Sequence, residues 1–164
     1  IYSEIMEKLA DKNIEIVVDA TGDLLMKVLK HKPFVIKPNN HELAEMFHVK
    51  LFGTQDIVKY AKKLQEMGAK NVLISMAGDG ALFICENGKV YFGNAPKGQV
   101  KNSVGAGDSM VADFVAGYEK TKDYVQAFRM GVATGSASAF SENLATASEV
   151  EKLLQEIKEV EYEY

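Results

Sequence analysis

Two consecutive stretches of the chain follow one plan, an amphipathic helix and then a β-rich run that stops at a polar turn. Residues 5–10 lead to 14–18, and residues 24–29 lead to 34–36. Strands joined through crossover helices pair in parallel, so this repetition predicts an α/β fold, a mostly parallel sheet with helices on both faces. Asp19 and Gly22 close the first strand and Lys37-Pro38-Asn39 the second. Both turns then fall at the carboxyl edge of the sheet, where open α/β sheets bind ligands.

Helices are predicted over residues 41–47 and 55–67. The second carries Ile57, Tyr60, Ala61 and Leu64 on one apolar face, with Gly68 as its stop. Residues 72–75 read as a third buried strand, and 81–85 with 90–92 as a hairpin around Asn87-Gly88. Beyond Val104 the pattern predicts helices over 106–118, 124–140 and 147–160, the last capped by Thr146 or Ser148.

With 164 residues and 47% hydrophobic content, residues 1–164 are expected to form one domain without an internal boundary. The balance of 19 basic against 23 acidic residues, without a dense Lys/Arg run, argues against a nucleic-acid partner. Cys85 is the only cysteine and sits in an apolar run, so it reads as core. No apolar stretch reaches membrane-span length and no signal pattern opens the chain, so no membrane partner and a cytoplasmic location are expected. Because the chain starts at Ile1 and its first residues already read as helix, it is expected to begin inside a longer protein.

The chemistry concentrates in three places. Asn102-Ser103-Val104-Gly105-Ala106-Gly107-Asp108-Ser109 puts a carboxylate at the mouth of a glycine-rich turn that opens a helix, offering backbone amides to an anion and a base beside them. The same turn is also readable as a simple helix cap. A G-x-G-x-x-G fingerprint fails because its third glycine falls at Met110, and no Walker A loop is present.

Asn39-Asn40-His41-Glu42 follows a strand end. It reads as a capping box or as an amide and a carboxylate for hydrated Mg²⁺, and the two readings are compatible. Ser75-Met76-Ala77-Gly78-Asp79-Gly80 lies between a strand and the hairpin, where small residues let a nucleotide approach the backbone. His31 and His48 fall at predicted helix ends, and no histidine pair has metal-ligand spacing.

Taken in order, residues 37–42, 75–80 and 104–108 resemble the ribokinase-like carbohydrate kinases, with Asp19-Ala20-Thr21-Gly22 matching a strand-end element of that family. The segments around Asn102-Ser103-Val104, Ser109-Met110-Val111-Ala112 and residues 135–141 are most similar to the branch that phosphorylates fructose 1-phosphate. The resemblance implies the three-layer ribokinase-like fold, here its C-terminal portion only. It implies transfer of the ATP γ-phosphoryl to fructose 1-phosphate, giving fructose 1,6-bisphosphate. Tagatose 6-phosphate or another sugar is the alternative substrate, and a non-catalytic nucleotide-binding domain the alternative class.

By the same resemblance Asp108 would be the base, and the amides of Gly105, Ala106 and Gly107 the anion hole, Gly107 also meeting the nucleotide. Asn39 and Glu42 would organise Mg²⁺, with Lys37 close to the ATP phosphates. Ser75, Met76, Ala77, Gly78, Asp79 and Gly80 would border the nucleotide, and Val132 with Ser136 the adenine. A monovalent cation would lie near Asn102, Val104, Ser138 and Ser141. Ala77 and Asp113 depart from the family pattern, which has glycine and a small residue there. Family members hold the sugar mainly through a first half and a β-lid not represented in these 164 residues, so this chain alone is expected to be inactive and its parent a homodimer.

Overall fold

The computed structural model describes residues 1–163. The chain divides into two compact units. The first contains residues 1–75, 82–90 and 163, the second residues 76–81 and 91–162.

In the first unit, helix α1 (Tyr2–Leu9) precedes strand β1 (Val17–Val18), α2 (Gly22–Val28) precedes β2 (Val35–Ile36), and α3 (Asn40–Phe47) and α4 (Thr54–Glu66) precede β3 (Asn71–Ser75). The expected parallel order is present, with Val17 opposite Val35, Val18 opposite Ile36, and Val35 and Ile36 opposite Asn71 and Val72. The first strand is shorter than its sequence predicts. Asn13 turns left-handed at φ 52° and Ile14 is exposed, so pairing begins only where the Ile16 carbonyl accepts the Phe34 N–H at 2.8 Å.

Leu25, Leu29, Val35, Ile36, Leu43, Leu64 and Ile74 fill the core of this unit. Asn71 is fully buried among them and satisfied: Nδ2 donates to the Phe34 carbonyl at 3.0 Å and Oδ1 accepts from the Glu86 N–H at 2.9 Å. On α4 the buried face is Ile57, Val58, Ala61 and Leu64, whereas Tyr60 is half-buried and packs its ring 5.1 Å from that of Phe47. Gly68 follows the helix at φ 135°. A Cβ there would lie 1.9 Å from the Leu29 carbonyl oxygen, so no other residue fits.

Most of β4 (Ala81–Ile84) belongs to this unit and runs into the Asn87-Gly88 turn. The Gly88 N–H reaches the Cys85 carbonyl at 3.0 Å, and Gly88 at φ 88° is the turn's left-handed residue.

The second unit holds most of β5 (Val90–Gly93), helices α5 (Ala106–Thr121), α6 (Tyr124–Phe140) and α7 (Ala147–Leu154), and strand β6 (Glu159–Glu161). The helix predicted over 147–160 stops at Leu154. Glu159, Val160 and Glu161 instead pair antiparallel with Gly93, Phe92 and Tyr91, and Asn94 Oδ1 accepts the Lys158 N–H at 2.7 Å. A strand edge offering a backbone ladder outweighs the helical preference of the two glutamates, with β-branched Val160 suited to the strand.

Helix α6 starts where the Asp123 carboxylate accepts the N–H groups of Val125 and Gln126 at 2.8 and 3.1 Å. It packs on α5 through a stripe of small residues. A Cβ on Gly131 would lie 2.8 Å from the Met110 carbonyl oxygen, and one on Gly135 would lie 3.1 Å from that of Ala106. Absence of side chains there lets the α5 backbone approach closely, which fixes the first turn of α5 against α6.

Candidate functional site

In the first unit the parallel register carries the chemistry. Val18 lies opposite Ile36, so the next residues, Asp19 and Lys37, leave adjacent strands side by side. Lys37 Nζ sits 3.7 Å from Asp19 Oδ1, and the Lys37 side chain is only 10% exposed. One strand over, Asn39 bridges to Ser75 in parallel, and the Ser75 N–H points at the Pro38 carbonyl at 3.4 Å.

Asn39 then caps α3. Its Oδ1 accepts the Glu42 N–H, and Glu42 Oε2 accepts the Asn39 N–H, both at 2.8 Å. The capping box read from the sequence is therefore formed. It leaves Glu42 Oε1 without a partner among the described residues and a second lone pair on Asn39 Oδ1. A hydrated Mg²⁺, which takes few protein ligands and keeps several waters, fits this donor set. Among the described residues no group of three or more His, Cys, Asp or Glu forms a dedicated metal cage.

Residues 76–80 close into a tight loop of the second unit. The Met76 N–H donates to the Gly80 carbonyl at 2.9 Å, Asp79 N–H to Met76 at 3.0 Å, and Gly80 N–H to Ala77 at 3.1 Å. Ala77 is left-handed at φ 49°, whereas Gly78 is not, so the methyl-bearing residue itself takes the strained conformation. Gly80 at φ 95° has no room for a Cβ, which would sit 2.1 Å from the Gly93 carbonyl oxygen.

The glycine-aspartate turn also lies in the second unit. Gly105, at φ 79°, caps α5 without a side-chain hydrogen bond. The Ala106 N–H is engaged by the Ser103 carbonyl at 3.2 Å, while those of Gly105, Gly107 and Asp108 have no acceptor among the described residues. Asp108 is exposed on the first helical turn, and its carboxylate has no ion pair or hydrogen bond to a described residue. Open amides of a helix N-terminus and an uncommitted carboxylate thus share one turn, an arrangement suited to an anionic group and a proton at once.

The end of α6 and the loop after it brace this turn. The Ala139 carbonyl accepts the N–H groups of Lys101 and Asn102 at 2.8 and 3.2 Å, and Asn102 Oδ1 accepts the Val104 N–H at 3.0 Å. Ser138 Oγ donates to Ser109 Oγ at 3.1 Å and accepts the Ala145 N–H at 3.4 Å, while Ser141 Oγ donates to Glu149 Oε1 at 3.1 Å. Both hydroxyls expected around a monovalent cation therefore already have protein partners.

Val132 is 2% exposed and packs in the α6 core, whereas Ser136 is half-buried. Asp113 accepts a hydrogen bond from Thr134 Oγ1 across the α5–α6 contact. Sequence spacing carries no sign of that pair, because it depends on how two helices cross. Burial pushes the Cys85 thiol above its ordinary value, consistent with a core role.

A model described as the pfkB family carbohydrate kinase matches residues 2–151. A 1-phosphofructokinase from Bacillus subtilis is 50% identical over 157 residues, covering 96% of this chain and 52% of that protein. A D-tagatose-1-phosphate kinase from Bacillus licheniformis is 34% identical over 158 residues, with 96% and 52% coverage. A solved structure from Staphylococcus aureus, assigned as a phosphofructokinase by inference, superposes with a TM-score of 0.94 at 36% identity, covering 99% of this chain and 53% of that one. The chain spans about half the length of the curated relatives it matches.

Proposed function

Because the chain belongs to the pfkB family of carbohydrate kinases, we propose that the intact protein transfers the γ-phosphoryl group of ATP to a phosphosugar, fructose 1-phosphate in the first place. One observation carries the reading: the Asp108 carboxylate, free of protein partners, beside the open amides of Gly105 and Gly107.

In this reading Asp108 accepts the proton of the attacking sugar hydroxyl as that oxygen bonds to phosphorus. ADP leaves with the electron pair of the broken P–O bond. Such transfers need positioning and charge stabilisation more than covalent help. The amides of Gly105 and Gly107 hydrogen-bond the phosphoryl oxygens as charge shifts across them. Lys37 meets the ATP phosphates, and Ser75 with the loop over 76–80 and Ser136 border the nucleotide. Asn39 and Glu42 hold Mg²⁺, which when bound neutralises phosphate charge and orients the polyphosphate.

The second reading is a tagatose phosphate as acceptor, favoured by the relative of that name. The two hexulose 1-phosphates differ only in configuration at C4, so the amide–carboxylate turn serves both. A coupled ADP-release assay on the intact protein with Mg·ATP, run in parallel with fructose 1-phosphate, tagatose 1-phosphate and tagatose 6-phosphate, separates them. The highest kcat/KM belongs to fructose 1-phosphate if the first reading holds. Mg·ATP binding without turnover on any sugar would replace both with a non-catalytic nucleotide-binding role.

A further inference from the structure

We infer that Asp19 is a positioning residue for Lys37, holding its ammonium at the carboxyl end of β2 in the orientation that meets the ATP phosphates. The inference rests on the kinase reading above and adds to it a residue that reading does not use.

Parallel neighbours direct their side chains to the same face, and Val18 opposite Ile36 makes Asp19 and Lys37 the next such pair. They leave their strands together at the ligand-binding edge. Pro38 follows Lys37 and holds the backbone there extended, so the lysine projects from a fixed point.

A lysine side chain only 10% exposed is uncommon, because a largely buried cation needs a compensating charge nearby. Asp19 Oδ1, at 3.7 Å, supplies charge but lies beyond hydrogen-bonding distance, and Lys37 Nζ makes no hydrogen bond to any described residue. Its three donors are thus not taken up by a described protein acceptor, and Nζ is not among the buried unpartnered atoms, so it stays open to an incoming group. An anion rich in acceptor oxygens completes them, and a nucleotide polyphosphate is such an anion.

Division of labour follows from the chemistry of the two groups. Lysine is a point charge on a flexible four-carbon stem, so it has many orientations unless one is selected. Asp19 is itself only about a third exposed and stands at the base of the Asp19–Gly22 turn, where it selects the orientation in which Nζ lies between the two strand ends. It attracts the ammonium without occupying its donors. The lysine is thus held in place and still free to bond phosphate.

The test is a double-mutant cycle in the intact protein, read by calorimetric affinity for Mg·ATP and by steady-state kinetics. Lys37→Met is expected to weaken Mg·ATP by about tenfold and Asp19→Asn by about threefold to tenfold, within the coupling range of groups in direct contact. The double variant should be no weaker than Lys37→Met alone. In each case KM for ATP rises while KM for the sugar stays, and Asp19→Glu restores most of the affinity. If Asp19→Asn does not fold, Asp19→Ser, which also removes the carboxylate, gives the same comparison alone and combined with Lys37→Met.

Full additivity of the two substitutions overturns the inference, since Asp19 would then act independently of Lys37. So does normal ATP affinity in a folded Asp19→Asn protein whose Lys37→Met counterpart is weakened, and that result leaves the kinase reading intact. Unchanged affinity in Lys37→Met removes the phosphate role of Lys37 itself, and the inference falls with it.

Discussion

Ser138, near the end of α6 and 3% exposed, donates its hydroxyl to Ser109 Oγ at 3.1 Å, and Ser109 is the residue directly after Asp108. The same oxygen accepts the Ala145 N–H at 3.4 Å. One buried hydroxyl therefore ties the first turn of α5 to α6 and to the loop that follows it. Ser138→Ala removes both bonds and leaves a backbone donor unsatisfied, which costs about 1–3 kcal/mol. Urea unfolding of the intact protein measures this, and a loss below about 0.5 kcal/mol contradicts the brace.

Ala77 takes the left-handed conformation at φ 49° with its methyl exposed. That conformation costs an L residue about 1–2 kcal/mol. Ala77→Gly relieves the strain but gives the unfolded chain about 0.4–1 kcal/mol of extra freedom, so the two nearly cancel and the net change is small and stabilising. Ala77→Val cannot relieve it and adds a branched Cβ, so it destabilises by about 1 kcal/mol or more. The difference between the Gly and Val variants in urea midpoint checks the backbone geometry, and equal midpoints contradict it.

Glu149 governs a pH dependence. Its Oε2 accepts the Thr146 N–H at 2.7 Å and the Thr146 hydroxyl at 2.8 Å, and Oε1 accepts the Ser141 hydroxyl. The Thr146 backbone bond first, then the two hydroxyls, hold this carboxyl below its ordinary value of 4.5. A carboxyl depressed in the folded state stabilises the fold above the unfolded pKa, and that contribution is lost as pH falls through the folded one. Glu149→Gln should therefore lower the melting temperature at neutral pH, with the gap to wild type closing on acidification below 4.5. A gap independent of pH would show that the ionised carboxylate is not the capping group.

Much of this organisation was legible where local chemistry decides structure. Helix α6 has the predicted bounds because the Asp123 cap and the apolar period are local signals. The Asn39–Glu42 capping box likewise needs only residues three apart. What stayed hidden depends on partners distant in sequence. Glu159 and Val160 read as the end of a helix and lie in β6, because β5, more than sixty residues earlier, supplies the hydrogen bonds. The Asp113–Thr134 bond and the engagement of Ala106 N–H by Ser103 were equally invisible, the first set by a helix crossing and the second by a turn whose geometry spacing does not specify.

The resemblance read from three short motifs is matched by family membership over residues 2–151 and by the ribokinase-like fold of the solved relatives. Motif order carried that conclusion. No single glycine turn could have done so, because the turn at Gly105 is by itself also a helix cap.

Asp108 is the centre of the account, and Asp108→Asn in the intact protein tests it most directly. The substitution keeps size and removes the base, so kcat with fructose 1-phosphate should fall by on the order of 10²–10⁴ while the calorimetric affinity for Mg·ATP stays near wild type. Turnover close to wild type, with ATP binding intact, would contradict the assignment of Asp108 as the group that takes the sugar proton.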